Sequence, residues 1–257
     1  MDKKKLIFNV DDFGLSKGVN LGVIEAYENG PVRSTTIMAG GEAFCHGVEL
    51  AKQHPGLDVG IHLALTASQS VGGAYRTLTD EKGRFLPLAT ITELVREGRL
   101  DLDEVEAEYE AQIQKVLSAG IEPSHFDSHH HTHHLPGIYE VFLRIAKKYG
   151  ITKVRMMDVN LLRAKTDKIH TTDIFEDRFY GDEVTIENLK DLINRFGDKF
   201  MRGSMEIMTH PAYLDCTLYN NSSYHYKRMA ELEVLTSTEL KEFLWAGDYE
   251  ITSFSSL

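Results

Sequence analysis

Apolar positions along the chain alternate between two rhythms. Lys5-Leu-Ile-Phe-Asn-Val10 is a short apolar run, β-branched and aromatic in character, bounded by charge and then by Gly14, and it predicts a strand. Beyond it, Val19, Val23 and Tyr27 recur at helical spacing, with Ser16 placed to cap the helix and Gly30-Pro31 to close it. The same alternation predicts further strands over 34–39, 58–65, 124–128, 153–157, 204–209 and 249–254. Helices are predicted over 42–53, over 102–119, from Pro136 at a first helical position to Tyr149, over 186–196, and from a Ser237 cap to near Gly247.

About seven strands separated by helices imply a parallel sheet, and that many units in roughly 250 residues suit a (β/α) barrel better than a doubly wound sheet. The first strand runs into Asp-Asp-Phe-Gly rather than a glycine-rich phosphate loop, which weakens a dinucleotide-binding reading. Two stretches break the rhythm, Thr66 to Leu100 and Pro211 to Leu235, and are expected to be loop insertions at the top of the barrel. There is no fixed-period repeat, low-complexity segment or Pro/Ser-rich linker, so a single domain over 1–257 is expected.

Composition narrows the function classes. The chain has 257 residues, 42% of them apolar, and a formal net charge of −11, which argues against a nucleic-acid or anionic-membrane partner. No uncharged apolar run approaches the roughly 18 residues a membrane helix needs. The apolar stretch after Met1-Asp-Lys-Lys-Lys5 is too short for a signal peptide, so a cytoplasmic protein is expected. Cys45 and Cys216 make neither a disulfide framework nor a Cys-x-x-Cys pair. The unusual feature is histidine: there are 12, and five fall in His129-His-His-Thr-His-His134.

Asp11 and Asp12 follow the first predicted strand, His62 lies in the third, Asp127, His129 and His131 lie around the end of the fourth, and His210 follows the sixth. Strand C-termini of a parallel barrel converge on one face, where active sites sit. Neighbouring carboxylates on a strand point to opposite sides, but a bend at its end lets both approach one site, one as a metal ligand and one as a free base. Helix capping and solvation explain the same pair, and a hydrogen-bonded core histidine explains His62. In an extended run, His129, His131 and His133 share one side, so one or two would reach the mouth. Imidazole is the commonest transition-metal ligand, and Asp127 could orient one through its other ring nitrogen. His210, held extended by Pro211, reads as a general acid or a structural residue. A carboxylate and two histidines with open positions suit catalytic metal and hydrolysis of an amide or ester. Gly-x-Ser-x-Gly and His-Glu-x-x-His are both absent.

Asn9-Val-Asp-Asp-Phe-Gly-Leu-Ser16, Gly60-Ile-His-Leu63, His125-Phe-Asp-Ser-His-His-His-Thr-His133 and Met208-Thr-His-Pro211 resemble the YdjC-like carbohydrate deacetylases, in order along nearly the whole chain. The resemblance implies an irregular TIM-like barrel, a metal on Asp12, His62 and His129, and Asp11 as catalytic base. It implies N-acetylated sugars or short chitooligosaccharides as substrate, magnesium as cofactor, and a homodimer. Two imidazoles suit zinc, cobalt, nickel or manganese better than magnesium. On this reading His210 or another histidine protonates the leaving amine, while Asp127 and His131 stand behind the ligands. Arg155 is a sugar or anion contact or a surface ion pair, and Tyr213 and Tyr226 stack on a pyranose or pack in loops. The segments 80–100 and 220–227 are expected to shape the sugar pocket. The rival readings are a hydrolase or isomerase of another small sugar on the same barrel, and a sensor that binds an amino sugar without turnover.

Overall fold

The computed structural model describes residues 3–158, 162, 168–199 and 202–257. A parallel sheet of seven strands organises it: β1 (Lys4–Phe13), β2 (Ser34–Ile37), β3 (Asp58–Leu63), β4 (Phe126–Ser128), β5 (Ile174–Glu176), β6 (Ser204–Thr209) and β7 (Tyr249–Thr252). The order is β4-β3-β2-β1-β6-β5, with β7 joining β1 beside its first residues, Lys4 to Ile7. Single parallel bridges from Phe126 to Val154 and from Lys153 to His170 carry the curl beyond β4. The result is an irregular TIM-like barrel. Both faces of β1, β2 and β3 are buried for most of their length; β1 carries the near-continuous apolar run, whereas β2 buries Ser34, Thr35 and Thr36 beside Ile37.

Helices α1 (Lys17–Asn29), α2 (Phe44–Gln53), α4 (Leu102–Ser118), α5 (Ile138–Lys148), α6 (Ile186–Lys199) and α9 (Thr238–Ala246) follow the predicted pattern, with α3 (Leu88–Arg96) additional. The predicted caps form: Ser16 Oγ accepts from Val19 N at 3.1 Å and Ser237 Oγ from Leu240 N at 3.2 Å. Pro136 is not the first residue of α5, because Gly137 takes the cap with φ +81°.

Three expectations are corrected. The strand predicted over 153–157 is reduced to bridges at Lys153 and Val154, and the ladder partner of β6 is instead Ile174–Glu176. Val154 and Met156 are buried on either side of the buried Arg155, so their apolar character reports burial rather than pairing. The stretch 66–100 holds α3, and carboxylates of α4 tie it down. Glu108 accepts from Val71 N and Gly72 N at 2.9 and 2.8 Å, and Glu104 from Arg76 N and Thr77 N at 3.0 and 2.8 Å. The stretch 211–235 folds into α7 (Cys216–Asn221) and α8 (Tyr226–Thr236), and α8 brings two buried charges to the C-terminal end of the sheet, Arg228 and Glu231.

Candidate metal centre

The C-terminal ends of β1, β3, β4 and β6 surround a cavity of about 390 Å³, lined in part by Asp11, Asp12, His62, His129 and His210. The two aspartates face the same space because β1 breaks register between Val10 and Phe13, and Asp12 takes a left-handed backbone with φ +68°. Such a φ is costly for a residue with a side chain and recurs at functional sites. It replaces the opposed pointing of a regular strand.

Asp12 Oδ1 lies 3.0 Å from His129 Nδ1 and 3.4 Å from His62 Nε2, and the two nitrogens are 3.3 Å apart. A tetrahedron with metal bonds of 2.0–2.1 Å has edges of about 3.3–3.4 Å, close to this spacing. Oδ1 is buried and accepts no hydrogen bond among the described residues, so it lacks the partner a cation would provide. Behind it, His62 Nδ1 meets Asp127 Oδ1 at 2.7 Å. That contact places the proton on Nδ1 and frees Nε2 for a cation. Burial pulls the His62 pKa down, but the charges of Asp127 and Asp11 and the close approach of the Asp12 and Asp127 carboxylates push it up to about 10. The donor set therefore fits a divalent ion, and its two imidazoles favour a transition metal.

Asp11 has a different environment. Arg155 grips it with Nη1 on Oδ2 and Nη2 on Oδ1, each at 2.6 Å, and Asn9 Nδ2 donates to Oδ1 at 3.0 Å. Oδ2 keeps one lone pair unused in these contacts and lies 3.9 Å from His210 Nε2. Burial alone would raise the Asp11 pKa, but the charge and hydrogen bonds of Arg155, with His62 and His210 nearby, together outweigh it and hold the carboxyl far below the usual range. Arg155 also contacts Asp127 at 3.0 Å and Glu206 at 2.7 Å. Three buried carboxylates thus share one guanidinium, and burial pushes Glu206 up to about 7 against the pull of Arg155.

His210 is held by α8. Its backbone N–H donates to Glu231, and its Nδ1 lies 3.7 Å from Glu231 Oε1, which also accepts from Tyr224 OH at 2.6 Å. Arg228 Nη2 sits 2.6 Å from Asp12 Oδ2.

Several predicted positions are corrected. Arg155 is not at the surface; it is fully buried and its charge is engaged by carboxylates rather than offered to a ligand. Tyr213 and Tyr226 are 46% and 55% exposed and are not among the cavity-lining residues. The lining tyrosines are Tyr180 and Tyr224, stacked at 4.0 Å. The histidine run is not extended: 129–134 is a 3-10 segment with φ +54° at His130 and +52° at His131. His129, His130 and His131 therefore all reach the cavity, while His133 turns back onto Ser128 and the Arg155 carbonyl. His131 does not stand behind a ligand; its Nδ1 is buried without a hydrogen bond, and its ring meets Phe175 edge-on at 5.5 Å. Of the two segments expected to shape the pocket, 220–227 supplies Asn221, Ser222, Ser223 and Tyr224, whereas the cavity lining takes nothing from 80–100. Arg228 and Glu231 escaped the sequence reading because 211–235 reads as a loop insertion, where charged side chains are ordinarily solvated.

The model of the family described as YdjC-like protein matches residues 5–246. The chain belongs to the YdjC-like family. Among curated members, carbohydrate deacetylase 1 of Listeria innocua is 44% identical over 254 residues, covering 98% of this chain and 100% of that protein. A carbohydrate deacetylase of Brevibacillus brevis is 40% identical over 260 residues, covering 98% and 99%. A crystal structure from Enterococcus faecalis V583, named for cellobiose-phosphate cleavage, has a TM-score of 0.89 at 32% identity and covers 99% of both chains. No helix among the described residues is long and apolar enough to cross a membrane.

Proposed function

We propose that the protein is a metal-dependent hydrolase that removes N-acetyl groups from amino sugars or short chitooligosaccharides and releases acetate. The observation that carries the reading is one cavity holding an Asp-His-His donor set, a second carboxylate outside it, and a histidine beyond that carboxylate. The names of relatives at 40–44% identity support the sugar and the acetyl group.

Asp12, His62 and His129 hold the metal, with Asp127 fixing the His62 tautomer. When bound, the metal lowers the pKa of a water and polarises the acetyl carbonyl. Asp11 stays ionised at any physiological pH and takes the proton of the attacking water at the unused lone pair of Oδ2. A base this weak works only on an acidified water, which is why the second carboxylate belongs beside the donor set. His210, oriented by Glu231, delivers a proton to the leaving nitrogen. Tyr180, 43% exposed at the cavity, offers apolar ring surface that a pyranose can cover.

Acetate release from N-acetylglucosamine, N,N′-diacetylchitobiose and their phosphorylated forms tests this, with cellobiose phosphate as the competing substrate suggested by the Enterococcus protein's name. Acetate from an N-acetylated sugar, abolished by a chelator and restored by zinc, cobalt or manganese, is the expected result. Cleavage of cellobiose phosphate without any acetate release would replace deacetylation with the rival hydrolase reading. Sugar binding without turnover of either class would leave the sensor reading.

A further inference from the structure

A cationic nitrogen beside the candidate metal centre makes no hydrogen bond among the described residues. Arg228 is 3% exposed, yet its Nη1 makes no hydrogen bond among the described residues. Its other two side-chain nitrogens are engaged: Nη2 on Asp12 Oδ2 at 2.6 Å and Nε on the Tyr224 carbonyl at 2.7 Å. The guanidinium carbon lies 5.4 Å from the Tyr224 ring centre, which adds a third constraint on the plane. A buried cationic donor without an acceptor is costly, so a native structure retains one where something else accepts from it. Arg228 lines the same cavity as Asp11, Asp12 and His210. Its Nη2 is held by the far oxygen of the carboxylate whose near oxygen faces His62 and His129, which keeps the positive charge beside the reacting centre.

We infer that Arg228 is a catalytic residue whose Nη1–H donates to the acyl oxygen of the substrate as that oxygen becomes an anion, and to the acetate product. This rests on the deacetylase reading. The water oxygen bonds to the acyl carbon, Asp11 takes one water proton, and the carbonyl π pair moves onto the acyl oxygen facing Nη1. The C–N bond then breaks, its pair stays on nitrogen and takes the His210 proton, and acetic acid and the free amine leave. The proton on Asp11 returns to His210 through solvent. A preorganised donor of this kind strengthens as charge develops, so it acts on kcat more than on KM.

The test uses zinc-loaded wild type, Arg228→Gln, Arg228→Lys and Arg228→Ala. We expect Arg228→Gln to lose about 100–1,000-fold in kcat, the usual effect of removing one oxyanion donor, with KM within about threefold. Bound zinc, measured by mass spectrometry, stays at the wild-type level. Millimolar guanidinium chloride restores part of the Arg228→Ala activity. Acetate, followed by NMR titration, binds the Gln variant at least about tenfold more weakly, a readout that needs no turnover. Loss of zinc in step with loss of kcat would reduce Arg228 to an anchor for Asp12, and unchanged kcat with unchanged acetate affinity would remove it from the chemistry. Should wild type release no acetate from any sugar, the deacetylase reading falls, and the acetate titration alone decides whether Nη1 binds an acyl oxyanion. If a variant does not fold, Arg228→Lys carries the comparison, since it keeps the charge and loses the fork.

Discussion

Asp11 and Asp12 are adjacent in the chain and chemically far apart. Arg155 and Asn9 occupy three acceptor positions of Asp11, while one oxygen of Asp12 is stripped of hydrogen bonds and approached by two imidazole nitrogens. The division of labour follows from what each carboxylate touches. Asp11→Asn is therefore expected to lower acetate release by about 100–10,000-fold, the range for losing a general base. Metal content should stay near wild type, because Asp11 contributes no ligand atom to the Asp12-His62-His129 set. Mass-spectrometric metal analysis beside an acetate assay checks both halves, and full activity in the variant would end the assignment. The local sequence marked both aspartates, and only the family resemblance told their roles apart. Arg155 sits 144 positions away and was read as a surface ion pair or sugar contact, since nothing local says that its side chain turns inward onto buried carboxylates.

Elements decide how these residues are presented. α1 carries Gly18 and Gly22 on the face toward the chain after β6, and a Cβ at Gly22 would lie 2.5 Å from Ala212 Cα and 2.8 Å from the Pro211 carbonyl oxygen. Both are backbone atoms, which cannot swing aside. In an isolated helix Gly22→Ala would stabilise by about 1 kcal/mol. Here it is expected to cost about 1–3 kcal/mol through overpacking, lowering Tm by roughly 2–10 °C. It should also impair turnover, because the displaced segment adjoins His210. A thermal melt decides between the two signs. Amphipathic spacing predicted α1, α4, α5 and α6 well, since one face of each is buried. It failed over 66–100 and 211–235, where α3 and α7 bury only Ile91 and Leu218, and where two of the four side chains α8 buries are the charged Arg228 and Glu231. It failed again at 153–157, where burial inside the barrel produces the same apolar pattern as strand pairing.

At the scale of the whole molecule, burial sets the response to pH. Burial holds His125 down to about 4, and it holds His133 well below its ordinary value; both rings are fully buried. A histidine whose folded pKa is depressed gives stability that is present above the unfolded value near 6.5 and is lost as pH falls toward the folded one. Between pH 6.5 and about 4 the unfolded chain thus binds two more protons at these sites. The slope is about 2.7 kcal/mol per pH unit at full protonation difference. His62, pushed up to about 10, adds nothing in this window because it is protonated in both states below 6.5. Urea unfolding of chelator-treated protein at pH 7 and pH 5 should therefore show a marked drop in midpoint at the lower pH. An unchanged midpoint would mean that these rings take up protons without unfolding.

Local sequence was enough for the alternation of strands and helices, hence a parallel barrel, and for the residue types that accumulate at its strand ends. Those depend on short-range periodicity and on composition, which the chain carries in full. Tertiary structure alone decided that Asp12 turns left-handed to share a cavity with Asp11, and that Tyr180 and Tyr224 rather than Tyr213 and Tyr226 line it. It also decided that Arg155 is buried and that α8 delivers Arg228 and Glu231 to the mouth. Each of these rests on contacts between segments far apart in the chain, where one side chain's role is set by neighbours that no local pattern names.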